Sequence, residues 1–201
     1  MLKKIISGIT ASSIVSMGGS AFLSSEYRFV GAFLFTLGLL GVSYYGLNLY
    51  TGKIGYMIRK HDREAWSTLL LGLLGNLIGG VLCGLAMAAA SPALAEKARE
   101  VCESNLALSP LAGMIKGFFC GVLIYLGVDM FRNKGTLAGI LVGVPVFVLS
   151  GFEHSVADMF YFTAAGIFSL KALGFVALIV LGNGIGALVF DRLLYGAGVK
   201  E

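Results

Sequence analysis

Glu153, His154 and Asp158 fall within one short stretch, Ser150 to Tyr161 (S-G-F-E-H-S-V-A-D-M-F-Y), with uncharged apolar runs on either side. An imidazole beside two carboxyls can hold or pass a proton, and its unperturbed pKa of about 6.5 lets that exchange run at physiological pH. An ionisable side chain at membrane depth costs about 2.5–3.5 kcal/mol or more unless it faces protein or water, so the cluster marks a substrate or ion pathway. We assign His154 to that pathway; the competing reading is a buried histidine that satisfies Glu153 or a backbone carbonyl. Glu153 reads as a partner that orients the imidazole. Asp158 reads either as a second such partner or as a group solvated at the mouth. A membrane-embedded enzyme using Glu153 and His154 as acid and base would need a nucleophile or metal constellation, and no HExxH or GxSxG occurs. Cys83, Cys102 and Cys120 form no CxxC and have no histidine nearby, so no disulfide set, metal site or cofactor is implied.

The elements that must position these groups are membrane spans. Hydrophobic residues make up 57% of the chain and charged ones 13%, with mean hydropathy +0.88, a balance that polar surface could not cover in water. Gly is 29 of 201 residues, which suits close helix packing where no hydrophobic drive separates protein from lipid. The net charge of +4 is a topology signal and not a nucleic-acid footprint, because the basic residues sit between apolar runs. The first run, Ile5 to Leu23, is 19 residues long and reaches ~28 Å, about one hydrocarbon thickness. It lacks an A-x-A-like cleavage site and is expected to be a retained span.

Further runs cover Phe29 to Leu47, Trp66 to Ala90, Leu106 to Met130, Thr136 to Phe152 and Leu173 to Leu194. Residues 91–105, rich in Glu, Lys and Arg, form an external amphipathic connector. The fifth run has only 17 uncharged residues before Glu153, so its helix should break inside the membrane and resume over Met159 to Leu170. Six crossings put Lys3, Lys4, Lys53, Arg59, Lys60, Arg63, Arg132, Lys134, Arg192 and Lys200 on one side, with both termini. That side is expected to be the cytoplasmic face of the cell's inner (plasma) membrane. Lys116 remains inside the fourth run, where it either snorkels, sits at a subunit contact or supplies a charge to the path.

Gly75-Asn76-Leu77-Ile78-Gly79 is echoed by Gly182-Asn183-Gly184-Ile185-Gly186, each in the third span of its half. Three spans per half make the halves, residues 1–90 and 106–201, inverted repeats within a single transmembrane domain. The preceding span of each half is interrupted, at Asn48 to Gly52 and at Gly151 to Asp158. Paired interrupted helices in inverted repeats point to a midplane site in a transporter. Asn76 and Asn183 are read as structural, bonding backbone groups that the breaks set free.

Gly151-Phe-Glu-His-Ser-Val-Ala157 followed by Met159-Phe160, together with Leu49-Tyr50-Thr51-Gly52 and the two Gly-Asn-x-Ile-Gly segments, resembles the formate/nitrite transporter family over nearly the whole chain. The resemblance implies an all-α, aquaporin-like protomer with broken second and fifth helices. It also implies a homopentamer in membrane lipid, with one path per protomer for formate, nitrite, hydrosulfide or short carboxylates. Carried over by position, His154 is the central histidine and Thr51 its hydrogen-bonding partner. Phe35 and Phe147 then form the periplasmic constriction, and Leu39, Leu49 and Tyr50 the cytoplasmic one. Four positions depart from the family pattern: Asn105 stands for a lysine, Gly121 for an asparagine, Asn48 for an acidic residue, and Asp158 for an asparagine. Asn105 and Gly121 are therefore read as altered path positions. The expected function is proton-coupled or pH-gated passage of small weak-acid anions. The missing lysine keeps a path for a neutral or cationic solute such as ammonia or water as the alternative.

Overall fold

The computed structural model describes residues Met1–Val199, so Lys200, counted above with the basic side, lies outside them. The described residues are helical, joined by short turns, and contain no strand. In order these are α1 (Leu2–Ser24), α2 (Arg28–Leu34), α3 (Thr36–Tyr45), α4 (Tyr50–Lys53) with a 3-10 turn (Ile54–Ile58), and α5 (Arg63–Ala90). Then come α6 (Pro92–Leu106), α7 (Pro110–Lys134), α8 (Ala138–Leu149), α9 (Ser155–Ala164) and α10 (Leu170–Gly196). Five stretches are long and apolar enough to cross a membrane: α1, α2 with α3 (Arg28–Tyr45), α5, α7 and α10; α8 is a shorter apolar helix.

Local chemistry sets the boundaries, several of which differ from the apolar runs. The fourth span starts at Pro110, later than hydropathy implies, because Ser109 Oγ accepts the Ala112 N–H at 3.2 Å and proline suits the first helical position. Asp62 caps α5 in the same way at 2.7 Å, and Ser91 and Ser169 cap α6 and α10. The piece beyond the fifth-span break begins at Ser155, ahead of Met159, because His154 caps it. It stops before Gly166, whose φ of +66° is the left-handed conformation that glycine adopts without strain.

Both breaks share one construction. Gly46 (φ +63°) ends α3, with Leu47 N–H donating to Val42 O at 3.0 Å and Gly46 N–H to Ser43 O at 3.3 Å. Gly151 (φ +65°) follows α8, with Phe152 N–H donating to Phe147 O at 2.9 Å and Gly151 N–H to Val148 O at 3.2 Å. This paired closure satisfies the last carbonyls of a helix and turns the chain sharply.

Two helix pairs, α1 with α5 and α7 with α10, form the frame. They approach backbone to backbone: a Cβ on Gly75 would stand 2.3 Å from Ile5 O, and one on Gly121 would stand 2.1 Å from Asn183 O. The half-helix α9 is buried along its whole length between α5, α6 and α1. The amphipathic α6 lies over it, burying Leu94, Ala98, Cys102 and Asn105 at helical spacing. Outward, Leu70, Leu82 and Leu85 of α5 and Leu173, Leu181 and Ile185 of α10 are exposed, an apolar surface for lipid or other subunits.

Candidate functional site

The breaks are held open by two buried asparagines. Asn76 Oδ1 accepts the Tyr50 N–H at 2.9 Å, while its Nδ2 donates to Gly8 O and Asn48 O, each at 2.9 Å. Asn183 repeats the pattern: Oδ1 accepts the Ser155 N–H at 2.9 Å, and Nδ2 donates to Gly117 O at 2.8 Å and Glu153 O at 2.9 Å. Each side chain thus ties the first residue of a half-helix, the loop before it and a neighbouring span. Asn48 adds a bond from its Nδ2 to Lys4 O at 3.3 Å.

The two half-helices bring their N-terminal ends together. Thr51, one residue into α4, and His154, at the head of α9, meet at 2.9 Å between Oγ1 and Nε2, with Thr51 fully buried and His154 nearly so. His154 Nδ1 accepts the Ala157 N–H at 3.2 Å. That nitrogen is therefore the unprotonated one, and in the neutral ring Nε2 carries the hydrogen, available to Thr51 or to a guest. The first N–H groups and dipole of α9 add partial positive charge at the same point.

Three cavities follow one another past this contact. The largest, about 380 Å³, lies under α6; Phe35, Phe147, Glu153, His154, Asp158 and Lys116 are in its walls, with Arg28, Glu100 and Asn105. The second, about 10 Å³, is bounded by Val15, Phe35, Leu39, Leu49, Ile124, Val144, Phe147 and His154. The third, about 130 Å³, opens among Val42, Ser43, Leu49, Val128, Lys53 and Arg132. Phe35, Phe147 and His154 are common to the first two, and Leu49 to the last two. The Phe35 and Phe147 rings stand edge to face, centroids 5.8 Å apart, and Phe147 lies 5.9 Å from the imidazole. A chamber needs ~10–15 Å³ to hold one water, so the middle cavity has room for about one water-sized molecule.

Glu153 organises the wall of the large cavity. Its Oε2 accepts from Asn105 Nδ2 at 2.8 Å, and Lys116 Nζ stands 3.8 Å from Oε1. Lys116 thus reaches into the cavity, the third of the placements open to it from sequence. Asp158 is 1% exposed, so it is not solvated at the mouth.

Two expected path residues are placed elsewhere. The Tyr50 phenol turns away from the path and donates to Val180 O at 3.1 Å, in a cluster with Ile54, Met57 and Tyr125. Gly121 faces the Asn183 backbone, where the α7–α10 crossing admits no side chain. Lys116, Arg28, Lys53 and Arg132 are cavity residues not assigned to the site from sequence. Lys116 carried a usable signal as a charge inside an apolar run, whereas Val15, Ile124 and Val144 carried none.

Membrane-length apolar helices packed around internal cavities beside two helix breaks define a helical membrane protein. The chain matches the family described as "Formate/nitrite transporter" over residues 1–197. It belongs to the formate/nitrite transporter family. Among curated relatives it is similar to the uncharacterized transporter YrhG of Bacillus subtilis (strain 168), 30% identical over 186 residues, which cover 83% of this chain and 70% of the relative. It is also similar to the nitrite transporter NirC of Salmonella typhimurium (strain LT2), 29% identical over 146 residues; these cover 66% of this chain but 54%, about half, of NirC. Among solved structures, an "FNT family ion channel" superposes with a TM-score of 0.82 at 24% identity, covering 98% of this chain and 90% of the other. A "Pentameric formate channel with formate bound" gives 0.71 at 19% identity, covering 98% and 95%.

Proposed function

We propose that the chain is a membrane channel or transporter for small monovalent anions of weak acids, formate, nitrite, hydrosulfide or short carboxylates, proton-coupled or pH-gated through His154. The observation that carries this reading is the Thr51–His154 contact, made between two opposed helix breaks on the wall that the outer and middle cavities have in common. The names of NirC and of the formate-bound structure agree with the solute class.

Passage follows from charge and desolvation. Lys116 and Arg28 attract an anion into the large cavity. Beyond it, the walls of the middle chamber are apolar except for His154, and a bare ion there would lose its hydration with little in return. The Nε2–H of His154, backed by the N-terminus of α9, is a donor at that threshold, and a solute that takes up a proton there proceeds as a neutral acid. A second proton on the imidazole would set an Nδ1–H against the Ala157 N–H and break the cap of α9. Ring protonation in acid is thereby linked to the geometry of the narrowest point, which supports pH gating.

In this reading the chain is one transmembrane domain, two inverted three-span halves (residues 1–90 and 106–201) joined by the connector over 91–105. The aquaporin-like protomer assembles as a homopentamer in the inner (plasma) membrane, with both termini cytoplasmic. The repeated Asn76 and Asn183 networks support the two-half arrangement. The test is flux into liposomes across formate, nitrite, hydrosulfide, acetate and ammonium. Weak-acid anions should be carried well above ammonium; a preference for ammonium, or chloride-like permeation with no weak acid carried, would overturn the proposal.

A further inference from the structure

We propose that Lys53 and Arg132 form a binding site for a small carboxylate or similar weak-acid anion in the third cavity, about 130 Å³, beyond the middle one. The inference deepens the transport reading above and rests on it: it gives the path a charged stop at the mouth opposite Lys116.

Three elements supply the site. Lys53 ends α4, two residues past Thr51, Arg132 stands in the last turn of α7, and Val42 and Ser43 come from α3. Leu49 is in the wall of both this cavity and the middle one, so a solute that passes Leu49 arrives beside the two cations. At about 130 Å³ the cavity far exceeds the ~10–15 Å³ that one water needs, and formate fits with water beside it. Gly52 keeps that room, because a Cβ there would meet only Val128 Cγ2 within contact range, at 3.5 Å.

The two charges lack a counter-ion. Among the described residues the ion pairs are Lys4–Glu64, Arg59–Asp191, Arg99–Glu96 and Lys116–Glu153, and no carboxylate is in the cavity wall. Asp129, three residues before Arg132, accepts from Tyr56 OH at 3.2 Å and from Asn133 Nδ2 at 2.8 Å and is not part of that wall. Like charges lining one small cavity repel, and an anion between them relieves the repulsion.

Donors are in place for such a guest. The Arg132 guanidinium lies over the Tyr56 ring, 4.5 Å from its centroid; stacking uses its face, and its N–H groups, which lie in its plane, remain for a carboxylate. Ser43 Oγ is buried without a hydrogen-bond partner among the described residues and adds a hydroxyl donor from α3. A buried hydroxyl left unpaired is uncommon, and an anion in this cavity would satisfy it.

A solute that crosses the middle chamber as neutral acid ionises here. Its O–H bond breaks, the electron pair stays on the carboxylate oxygen, and the proton passes to water in the cavity, while the ammonium and guanidinium hold the anion. A cation leaving by this mouth would meet their repulsion instead.

Solid-state NMR of the full chain in lipid, with isotope-labelled lysine and isotope-labelled formate, tests the site. The parent should show a lysine ammonium in dipolar contact with formate that Lys53→Met removes, apart from any signal at Lys116. Arg132→Gln should raise severalfold the formate concentration that half-saturates the Lys53 signal. If Lys53→Met removes no formate contact, or if the Arg132→Gln titration superposes on the parent's, the inference is overturned. Should Lys53→Met fail to insert, the contact that persists in Lys116→Gln, titrated with and without Arg132→Gln, decides by the same criterion. The contact is read without flux, so a chain that binds formate here and carries none would show the transport reading failing alone.

Discussion

Replacing Asn183 with Leu, which is similar in size, removes the amide that holds the second break. Two buried backbone groups at the break lose their partner together, Ser155 N–H and Glu153 O, and Gly117 O, inside α7, loses a second bond; all three are bonded at 2.8–2.9 Å in the parent. Asn183 is fully buried, so water cannot take over these bonds. Each unsatisfied buried group costs about 1–3 kcal/mol, and the two share one side chain, so the lower part of the sum applies, about 2–4 kcal/mol. A chain of this size shifts by ~2–4 °C per kcal/mol, which gives a fall of at least about 4 °C in the melting temperature. Asn76→Leu strands Tyr50 N–H and Asn48 O, takes a second bond from Gly8 O, and should lose a similar amount. The assay is thermal unfolding in detergent, followed by loss of the monodisperse peak in size-exclusion chromatography. A shift under about 2 °C for both variants would refute the view that these amides hold the breaks.

Lys116→Gln removes an ammonium that faces the large cavity and should lower anion uptake severalfold at low salt, with the difference shrinking as ionic strength rises; liposome flux at two salt concentrations checks it. Gly121→Ala places a methyl against Asn183 O and should reduce folded yield and melting temperature without altering which solute is carried by the protein that does fold. Unchanged yield with altered selectivity would restore Gly121 to the path.

Much of the site was legible because membrane chemistry is restrictive. Glu153 and His154 stand out as ionisable residues among apolar ones, and the paired Gly-Asn-x-Ile-Gly segments mark Asn76 and Asn183. What was lost is the direction in which a side chain points where the backbone is irregular. Leu49 and Tyr50 are adjacent at the first break; Leu49 meets two cavities while Tyr50 packs toward Val180. No periodicity fixes the phase of such a segment. Gly121 shows a second ambiguity, since a missing side chain serves a guest or a neighbouring backbone equally well, and only the α7–α10 crossing decides between them. Lys116 shows a third: a lysine in an apolar run looks the same whether it snorkels to the interface or turns inward to Glu153. Helix starts moved for simpler reasons, the caps at Ser109 and His154 overriding the hydropathy edges.

The measurement that bears most directly on the central claim is formate uptake by liposomes containing the parent or His154→Ala at equal incorporated protein, measured across acidic to neutral pH. The Thr51–His154 contact at the threshold of the narrow chamber predicts that the parent's uptake depends on pH and that removing the imidazole both changes the rate substantially and flattens that dependence. Equal rates and the same pH profile for the two proteins would contradict it.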